Sequence, residues 1–518
     1  MKEESKVRIC VPVCVKRVCD IAAAITRAEE YADLIEVRLD CLSEPDIDRL
    51  GRELVAARLH SRCPIVFTLR PAEQGGLREL DKATRFGFWI SNGKRLLYDN
   101  PNYADFEIDV AFAMESAEPY SPVPDWKRVI CSFHDVVGVP SDLEKIYSQM
   151  ARTRAQILKI AVQADDITDC VPVLRLLDRA RVEGREMIAI AMGAAGLLTR
   201  ILGPSRGAFL TYGSLDEEQA TAPGQIRASD LRDLYRVHML NDRTEVMGLV
   251  GDEVMHSVSP HMHNASFSAT GINSVYIPFE VRALGDFVRR MVRPGTREID
   301  WNLGGLSITA PHKVAIIEHL DWIDPIATEI GAVNTVVIED DQLMGYNTDA
   351  EAAIMPLRRL IDLAGARVAV IGAGGAARSL LWGLRNAGAH ATVFARDGER
   401  AKATADAFGA EYGDLDRVVP GEFEVVVNST PLGTRGLSED LSPVNSRQLR
   451  GARIAYDLVY NPIETRFMRE AVEAGCRTLG GLEMLVAQAA EQFKLWNGVD
   501  APVEVMRDAA LKALQSNA

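Results

Sequence analysis

Over about the first 240 residues, eight short β-rich runs alternate with helix-like stretches, and this alternation admits very few folds. The runs are VRICVPV, LIEVRLD, PIVFTLR, ADFEIDV, RVICSFHD, QILKIAV, EMIAIAM and GAFLTYG. Amphipathic segments such as SDLEKIYSQMARTRA and ITDCVPVLRLLDRARVEG separate them. Strands alternating with helices build parallel βαβ units. Eight of these in roughly 250 residues predict a closed (β/α)8 TIM barrel. The chain has 518 residues, too many for a single core, so further domains must follow. Its 47% apolar and 25% charged residues are those of a soluble globular protein. A net charge of −15 argues against nucleic acid or an anionic membrane as partner. No apolar stretch is long enough to span a bilayer. The opening MKEESKVRIC has neither a secretory apolar region nor the acid-poor composition of a transit peptide. The eight cysteines are scattered without a CxxC pair, and Cys10, Cys14 and Cys19 lack metal-ligand spacing, so all are expected as reduced thiols in a cytoplasmic protein. Oligomeric state is left open.

Polar residues mark one end of the predicted barrel. Glu36, Arg38 and Asp40 alternate along strand two and so share a face. Arg70 closes strand three, Glu107 and Asp109 lie on strand four, His134 ends strand five, Met192 ends strand seven and Arg200 follows it. Strand six, QILKIAV, carries Lys159 among apolar neighbours. Active sites of such barrels lie at the C-terminal ends of the strands. Some of these charges, Glu36, Arg38 and Asp109 above all, are also suited to buried ion pairs that hold the barrel together. A lysine in an apolar wall keeps a nucleophilic amine near neutrality, and its obvious chemistry is a Schiff base with a ketone. A histidine one strand away is placed to remove the acidified proton. These features alone suit a class I aldolase, a dehydratase or a transaldolase equally.

A polar stretch, NDRTEV, separates the barrel from a new strand, MGLVGD. Short strands and helices up to about residue 350 read as a small α/β lobe. ARVAVIGAGGAARSLLWGLRNAG, residues 366–388, then gives a strand, a glycine-rich turn and a helix. In that setting Gly372, Gly374 and Gly375, with Ala373 and Ala376 between and after them, allow the backbone to approach a pyrophosphate at a helix N-terminus. The next strand ends in Arg396, where an acidic residue would select NAD. An arginine suits the 2′-phosphate of NADP, although Asp397 follows it directly. FEVVVNST and RIAYDLVY continue a Rossmann-like sheet. In the small lobe, HSVSPHMHN holds Ser257 and Ser259 in an expected extended segment, and LSITAPHKVAIIEHL places Lys313 at an expected helix start. GAVNTV and GYNTDAEA add Asn334, Asn347, Thr348 and Asp349. NTD also reads as a helix N-cap, Lys313 as a surface lysine, and His256, His261 and His263 as capping or surface residues rather than metal ligands. The expected divisions are 1–241, 242–350, 351–480 and a C-terminal helical return at 481–518.

EVRLD, TLRP, FEID, SFHD, LKIAV, AMGAAGLLTR and TAPGQI occur in the order found in type I 3-dehydroquinate dehydratases, and the first half resembles that family throughout. The resemblance implies that Lys159 forms an imine with the C3 ketone of 3-dehydroquinate. It implies that His134 removes a C2 proton and protonates the departing C1 hydroxyl, giving 3-dehydroshikimate. Arg200 is implied to bind the carboxylate, with Glu36, Arg38, Arg70, Thr221 and Gln225 on the hydroxyls or carboxylate. The family usually has glutamate, orienting the histidine, where this chain has Gln74; either the adjacent Glu73 substitutes or His134 has a lower pKa. The second half resembles shikimate dehydrogenases, through HSxSPxxHN, SITAPHK, GAVNT, NTD, GAGGAAR, NSTPLG, YDLVYNP and GLEMLVAQAAEQFKLW. That likeness implies Lys313 and Asp349 as the catalytic pair. Ser257, Ser259, Thr309, Asn334, Tyr460 and Gln488 are implied around the substrate, with serine at 307 where many members have asparagine. Arg396, Asn428, Ser429, Thr430 and Gly481 are implied near NADP (NADPH). The implied product of one half is the implied substrate of the other, which supports a bifunctional enzyme. The alternatives are a second half acting on quinate with NAD, and a non-catalytic metabolite sensor.

Overall fold

The computed structural model describes residues 7–43, 47–57, 59–97, 102–117, 125–216, 221–436 and 438–516. The first six residues, on which part of the leader expectation rests, lie outside them. The chain divides into two compact units, one running to Thr244 with the short segments Phe279–Val292 and Thr296–Trp301, the other holding the remainder.

The first unit contains eight parallel strands, β1 (Ile9–Val13), β2 (Leu34–Arg38), β3 (Ile65–Thr68), β4 (Tyr103–Glu107), β5 (Val129–Asp135), β6 (Ile157–Gln163), β7 (Glu186–Met192) and β8 (Thr211–Tyr212). They pair in sequence order, with β8 returning to β1. At the remaining seam the Phe209 N–H donates to the Met187 carbonyl at 2.8 Å, so the sheet closes as the alternation predicts. Inward residues recur every second position, and their chemistry changes along the strands. Cys10, Leu34, Val66, Ile130, Ile157 and Ile188 pack together as an apolar layer. Two residues further along each strand stand Glu36, Thr68, Ser132 and Lys159, and two further still Arg38, Arg70 and His134. The intervening Leu158 and Ile160 face the opposite way and are fully buried beneath the helices. Lys159 is therefore apolar-flanked only along the chain. Asp109 is in the first turn of the helix Ile108–Ser116 rather than on strand four, and it pairs with Arg85 at 2.9 Å.

Cys14 and Cys41, just beyond the neighbouring strands β1 and β2, form a disulfide with a Cα–Cα distance of 5.4 Å. The expectation that every thiol is reduced is thus corrected. Parallel pairing brings together two residues 27 apart in sequence, which spacing rules do not capture.

The second unit has two six-stranded sheets. The first holds β9 (Glu245–Gly251), β10 (Ser274–Glu280), β11 (Leu303–Ile308), β12 (Trp322–Ile323), β13 (Thr335–Glu339) and β14 (Gln342–Tyr346), in the order β10-β9-β11-β13-β14-β12. The C-terminal helices Leu482–Asn497 and Val503–Ser516 pack their Val486, Phe493, Met506 and Ala510 against Met247, Met262 and Phe267 of this lobe. The second sheet holds β15 (Arg367–Ile371), β16 (His390–Ala395), β17 (Glu411–Asp414), β18 (Val425–Asn428), β19 (Ile454–Asp457) and β20 (Arg477–Leu479). It is wholly parallel in the order β17-β16-β15-β18-β19-β20, the doubly wound topology whose switch point lies between β15 and β18.

Candidate active sites

At one end of the barrel, Glu36, Arg38, Arg70, His134, Lys159, Arg200, Thr221 and Gln225 line a single cavity, together with Gln74, Met192 and Tyr212. All eight first-half residues expected from sequence are thus brought together. Their electrostatics differ from expectation at the lysine. Lys159 is 4% exposed, but its Nζ is 2.9 Å from Asp105 Oδ2, 3.3 Å from Glu36 Oε1 and 3.0 Å from the Tyr212 hydroxyl. The amine stands among acceptors, not in an apolar wall. Asp105 was missed from sequence, although it shares β4 and its parity with Glu107. It also pairs with Arg70 at 2.8 Å and accepts from the Ser132 hydroxyl at 2.5 Å. Burial alone pushes the Asp105 carboxyl up, but Arg70 and Lys159 hold it well below the usual carboxylate range.

Burial, followed by the charges of Arg70 and Lys159, holds the His134 imidazole well below its ordinary range, and it is neutral at pH 7. Gln74 does contact His134, but through the backbone: its Oε1 accepts from the His134 N–H at 3.1 Å. Its neighbour Glu73 is 63% exposed and lies toward Arg85, at 4.0 Å, so it is not the substitute. Arg38 is neutralised by Asp40 through bonds of 2.9 and 2.8 Å, and it also donates to the Gly75 carbonyl. The ion pair foreseen for Arg38 is therefore with Asp40. Arg200 differs from the other arginines. It is 1% exposed, and only its Nη1 reaches an acceptor, the Tyr212 carbonyl at 3.4 Å. Nε and Nη2 have no partner among the described residues, and burial pushes the group down to about 10. A buried guanidinium with two unused donors can receive a carboxylate.

In the second unit, Lys313 Nζ and Asp349 Oδ2 are 2.5 Å apart. Asn334 donates through Nδ2 to Asp349 Oδ1 at 2.8 Å and to the Thr348 hydroxyl at 2.9 Å. Its Oδ1 accepts from the Thr348 N–H at 2.8 Å. Lys313 lies in a turn before the short 3-10 helix Ala315–His319, not at the start of an amphipathic helix, and its side chain is 19% exposed and paired rather than solvated. Ser259 begins the helix Ser259–Thr270, so only Ser257 is outside regular helix. Ser257 lies against the Tyr460 hydroxyl, and Ser259 against that of Tyr276. The Tyr276 hydroxyl donates to Ser307 at 2.8 Å, and Ser307 donates to Gln492 Oε1 at 2.9 Å. Gln492 then donates to the Asn334 carbonyl at 3.2 Å. A continuous polar chain thus joins Tyr276 to the Lys313–Asp349 pair. Sequence reading missed Tyr276 and Gln492. Gln488 lies one turn before Gln492, half-buried, with Nε2 on the Leu485 carbonyl at 2.9 Å. Thr309 is half-buried just after β11, its N–H on the Val250 carbonyl. His263 is fully buried and stacked on Tyr276 at 4.4 Å, not a surface residue. No group of metal-binding side chains occurs among the described residues.

The glycine-rich turn leaves β15 through Gly372, whose φ is +120°, and enters the helix Gly375–Asn386. A Cβ on Gly372 would come within 2.5 Å of Ser429 Oγ, across the switch point, so close approach of β15 and β18 requires glycine there. A Cβ on Gly374 would meet nothing within 4 Å. The helix's first internal bond is from the Arg378 N–H to the Gly374 carbonyl, which leaves the N–H groups of Gly375, Ala376 and Ala377 directed out of its end. That open, N–H-lined turn fits a pyrophosphate. A Cβ on Gly375 would lie 3.2 Å from Lys313 Cδ. Arg396 is exposed beyond β16, and Asp397 caps the next helix by accepting from the Arg400 N–H at 3.1 Å. Ser429 and Thr430 are half-buried, whereas Asn428 is fully buried and its Nδ2 is committed to Asp457 and the Leu432 carbonyl. Gly481 packs on the Leu458 carbonyl, 2.3 Å from where its Cβ would be.

A family model described as Type I 3-dehydroquinase matches residues 9–242. Others, described as shikimate dehydrogenase substrate binding domain and shikimate 5′-dehydrogenase C-terminal domain, match 249–336 and 481–511. A chloroplastic bifunctional 3-dehydroquinate dehydratase/shikimate dehydrogenase of Arabidopsis thaliana is 35% identical over 520 residues, covering 96% of this chain and 83% of that protein. A shikimate dehydrogenase (NADP(+)) of Moorella thermoacetica is 42% identical, covering 51% of this chain and 91% of its own length. The crystal structure of the Thermus thermophilus shikimate 5-dehydrogenase with NADP(H) and shikimate is 35% identical, with a TM-score of 0.47 over 52% of this chain and all of that one. The chain, matched from one end to the other by a two-activity relative, belongs to the bifunctional 3-dehydroquinate dehydratase/shikimate dehydrogenase family.

Proposed function

We propose that the chain dehydrates 3-dehydroquinate to 3-dehydroshikimate in its barrel and reduces 3-dehydroshikimate to shikimate, with NADPH, in its second half. It is thus a lyase and an oxidoreductase on one chain. The carrying observation is the cavity that gathers a buried amine, a neutral imidazole and an unpaired guanidinium. In this reading Arg200 binds the substrate carboxylate, with Glu36, Arg38, Arg70, Thr221 and Gln225 around the ring. Lys159 condenses with the C3 ketone. His134, neutral and able to accept, takes the C2 proton and returns a proton to the leaving C1 hydroxyl. The elimination yields the conjugated enone.

In the second half Ser257, Ser259, Thr309, Asn334, Tyr460 and Gln488 hold the substrate. Lys313 supplies a proton to the carbonyl oxygen, and Asp349, fixed by Asn334, holds the lysine in place. NADPH, when bound, supplies the hydride. Gly372, Ala373, Gly374, Gly375 and Ala376 cradle its pyrophosphate, Arg396 faces its 2′-phosphate, and Asn428, Ser429, Thr430 and Gly481 border it. Asp397 caps a helix, which argues against its competing for a ribose hydroxyl and so against NAD as the cofactor. The functional divisions remain 1–241, 242–350, 351–480 and 481–518. The partners are small molecules, with neither nucleic acid nor membrane. Among the described residues no helix is long and apolar enough to cross a membrane. A cytoplasmic setting belongs to this reading, and the Cys14–Cys41 disulfide is the observation that stands against it.

Borohydride reduction in the presence of 3-dehydroquinate, followed by peptide mapping, is the test. The expected adduct is on Lys159. An adduct on another lysine removes the assignment to Lys159, and no adduct removes the imine mechanism and leaves the sensor reading for the barrel.

A further inference from the structure

We infer that Tyr212 is a positioning residue of the dehydratase: its hydroxyl, with Asp105, holds two N–H bonds of the Lys159 amine so that the lone pair opens toward Glu36 and the cavity. The inference rests on the reading of Lys159 as the nucleophile. An ammonium has three N–H donors, and here they have three acceptors: Asp105 at 2.9 Å, Glu36 at 3.3 Å and the Tyr212 hydroxyl at 3.0 Å. Condensation requires that one of these protons leave.

The three acceptors are not equivalent. Asp105 already carries the Arg70 ion pair and the Ser132 hydroxyl, both of which favour its ionised form. Tyr212 is 6% exposed and is also within hydrogen-bonding reach of the Cys10 thiol, so its oxygen is held from two sides. Burial keeps its phenol protonated, and it accepts a hydrogen bond without taking the proton. Glu36 has only the Thr68 hydroxyl, at 2.8 Å, and among the described residues Lys159 is its one ion-pair partner. Its contact is also the longest of the three, at 3.3 Å, and it lines the cavity, so the proton directed at it is the one that leaves. Nζ, still held by Asp105 and Tyr212, presents its lone pair where the Glu36-bound proton was.

The proton count closes. Nζ gives one proton to Glu36 and bonds to the ketone carbon. A second N–H proton moves to the former carbonyl oxygen, giving the carbinolamine. Glu36 then protonates that hydroxyl, the C–O bond breaks, and water leaves the iminium with one N–H. Both protons of that water come from the original ammonium.

The test is Tyr212→Phe, which keeps the ring and deletes the oxygen. One charge-assisted hydrogen bond corresponds to roughly a 10- to 100-fold effect. Dehydratase kcat and the rate of borohydride trapping at Lys159 are expected to fall by that factor. KM for 3-dehydroquinate should stay within about threefold of wild type, because Arg200 is untouched. The final yield of trapped Lys159 is expected to match wild type, and the chain's shikimate dehydrogenase rate serves as the folding control. An unchanged trapping rate overturns the inference. So does a final yield that is also lost, since misplacing an amine slows condensation without abolishing it. Absence of the Lys159 adduct in the wild-type protein is a different result, and it condemns the reading of Lys159 as the nucleophile.

Discussion

Arg200 should cost the unliganded protein stability, and Arg200→Met measures that cost. The guanidinium is 1% exposed, with Nε and Nη2 unpartnered among the described residues. Burial lowers it from its ordinary range to about 10. At about 1.4 kcal/mol per tenfold change in the protonation equilibrium, that displacement amounts to roughly 3 kcal/mol. A cation whose pKa is lower in the folded state opposes folding at every pH below the folded value, and the cost fades only as pH rises above about 10 toward the ordinary guanidinium range. At neutral pH it is present in full. Replacing buried charge by an apolar side chain of similar reach has gained about 1–4 kcal/mol elsewhere. Each kcal/mol raises the melting temperature of a unit this size by roughly 2–4 °C. Arg200→Met should therefore raise the unliganded dehydratase transition by about 2–16 °C in calorimetry. Loss of the carboxylate's charge-assisted bonds should raise dehydratase KM about 10- to 100-fold, read from absorbance of the enone product. A lower transition temperature, or an unchanged KM, refutes the reasoning.

Gln74→Glu places a carboxylate beside His134, whose imidazole burial, Arg70 and Lys159 now keep low. A negative neighbour favours imidazolium, so the acid limb of the dehydratase kcat/KM profile should move to higher pH, and an unmoved limb would show that the side chain acts only on the backbone. Lys313→Ala and Asp349→Ala should each lower shikimate oxidation by at least about 100-fold with NADPH affinity held within about threefold; equal losses of cofactor binding, by fluorescence titration, would count against their assignment. Arg396→Ala should raise KM for NADP about tenfold and leave that for NAD unaltered in steady-state rates, and parallel changes would place the 2′-phosphate elsewhere.

The barrel was legible because its period is local: eight apolar runs separated by amphipathic stretches specify eight βα units without any knowledge of contacts. The positions of Lys159, His134 and Arg200 followed from strand parity and resemblance. The partners of Lys159 were not legible, since Asp105 is 54 residues away and meets it only when the strands close into a ring. Apolar flanks along a strand do not give apolar surroundings, because the neighbours of Lys159 along the chain point to the opposite face. The disulfide was hidden for the same reason. In the second half the glycine turn and the NTD stretch were readable as motifs. LSITAPHKVAIIEHL reads as placing Lys313 at the start of an amphipathic helix, but the segment after it forms only the short 3-10 turn Ala315–His319. Gln492 escaped notice because its use depends on Ser307, 185 residues earlier.

Gly375 sits in the nucleotide motif, yet the atom nearest to its missing methyl belongs to Lys313, at 3.2 Å. A side chain there would crowd the aliphatic stem that carries the amino group to Asp349. Gly375→Ala should accordingly disturb the Lys313 stem as well as the pyrophosphate cradle, so that turnover falls together with dinucleotide affinity. Two signatures that look independent along the chain are one mechanical part, and a change in either is felt at the same proton.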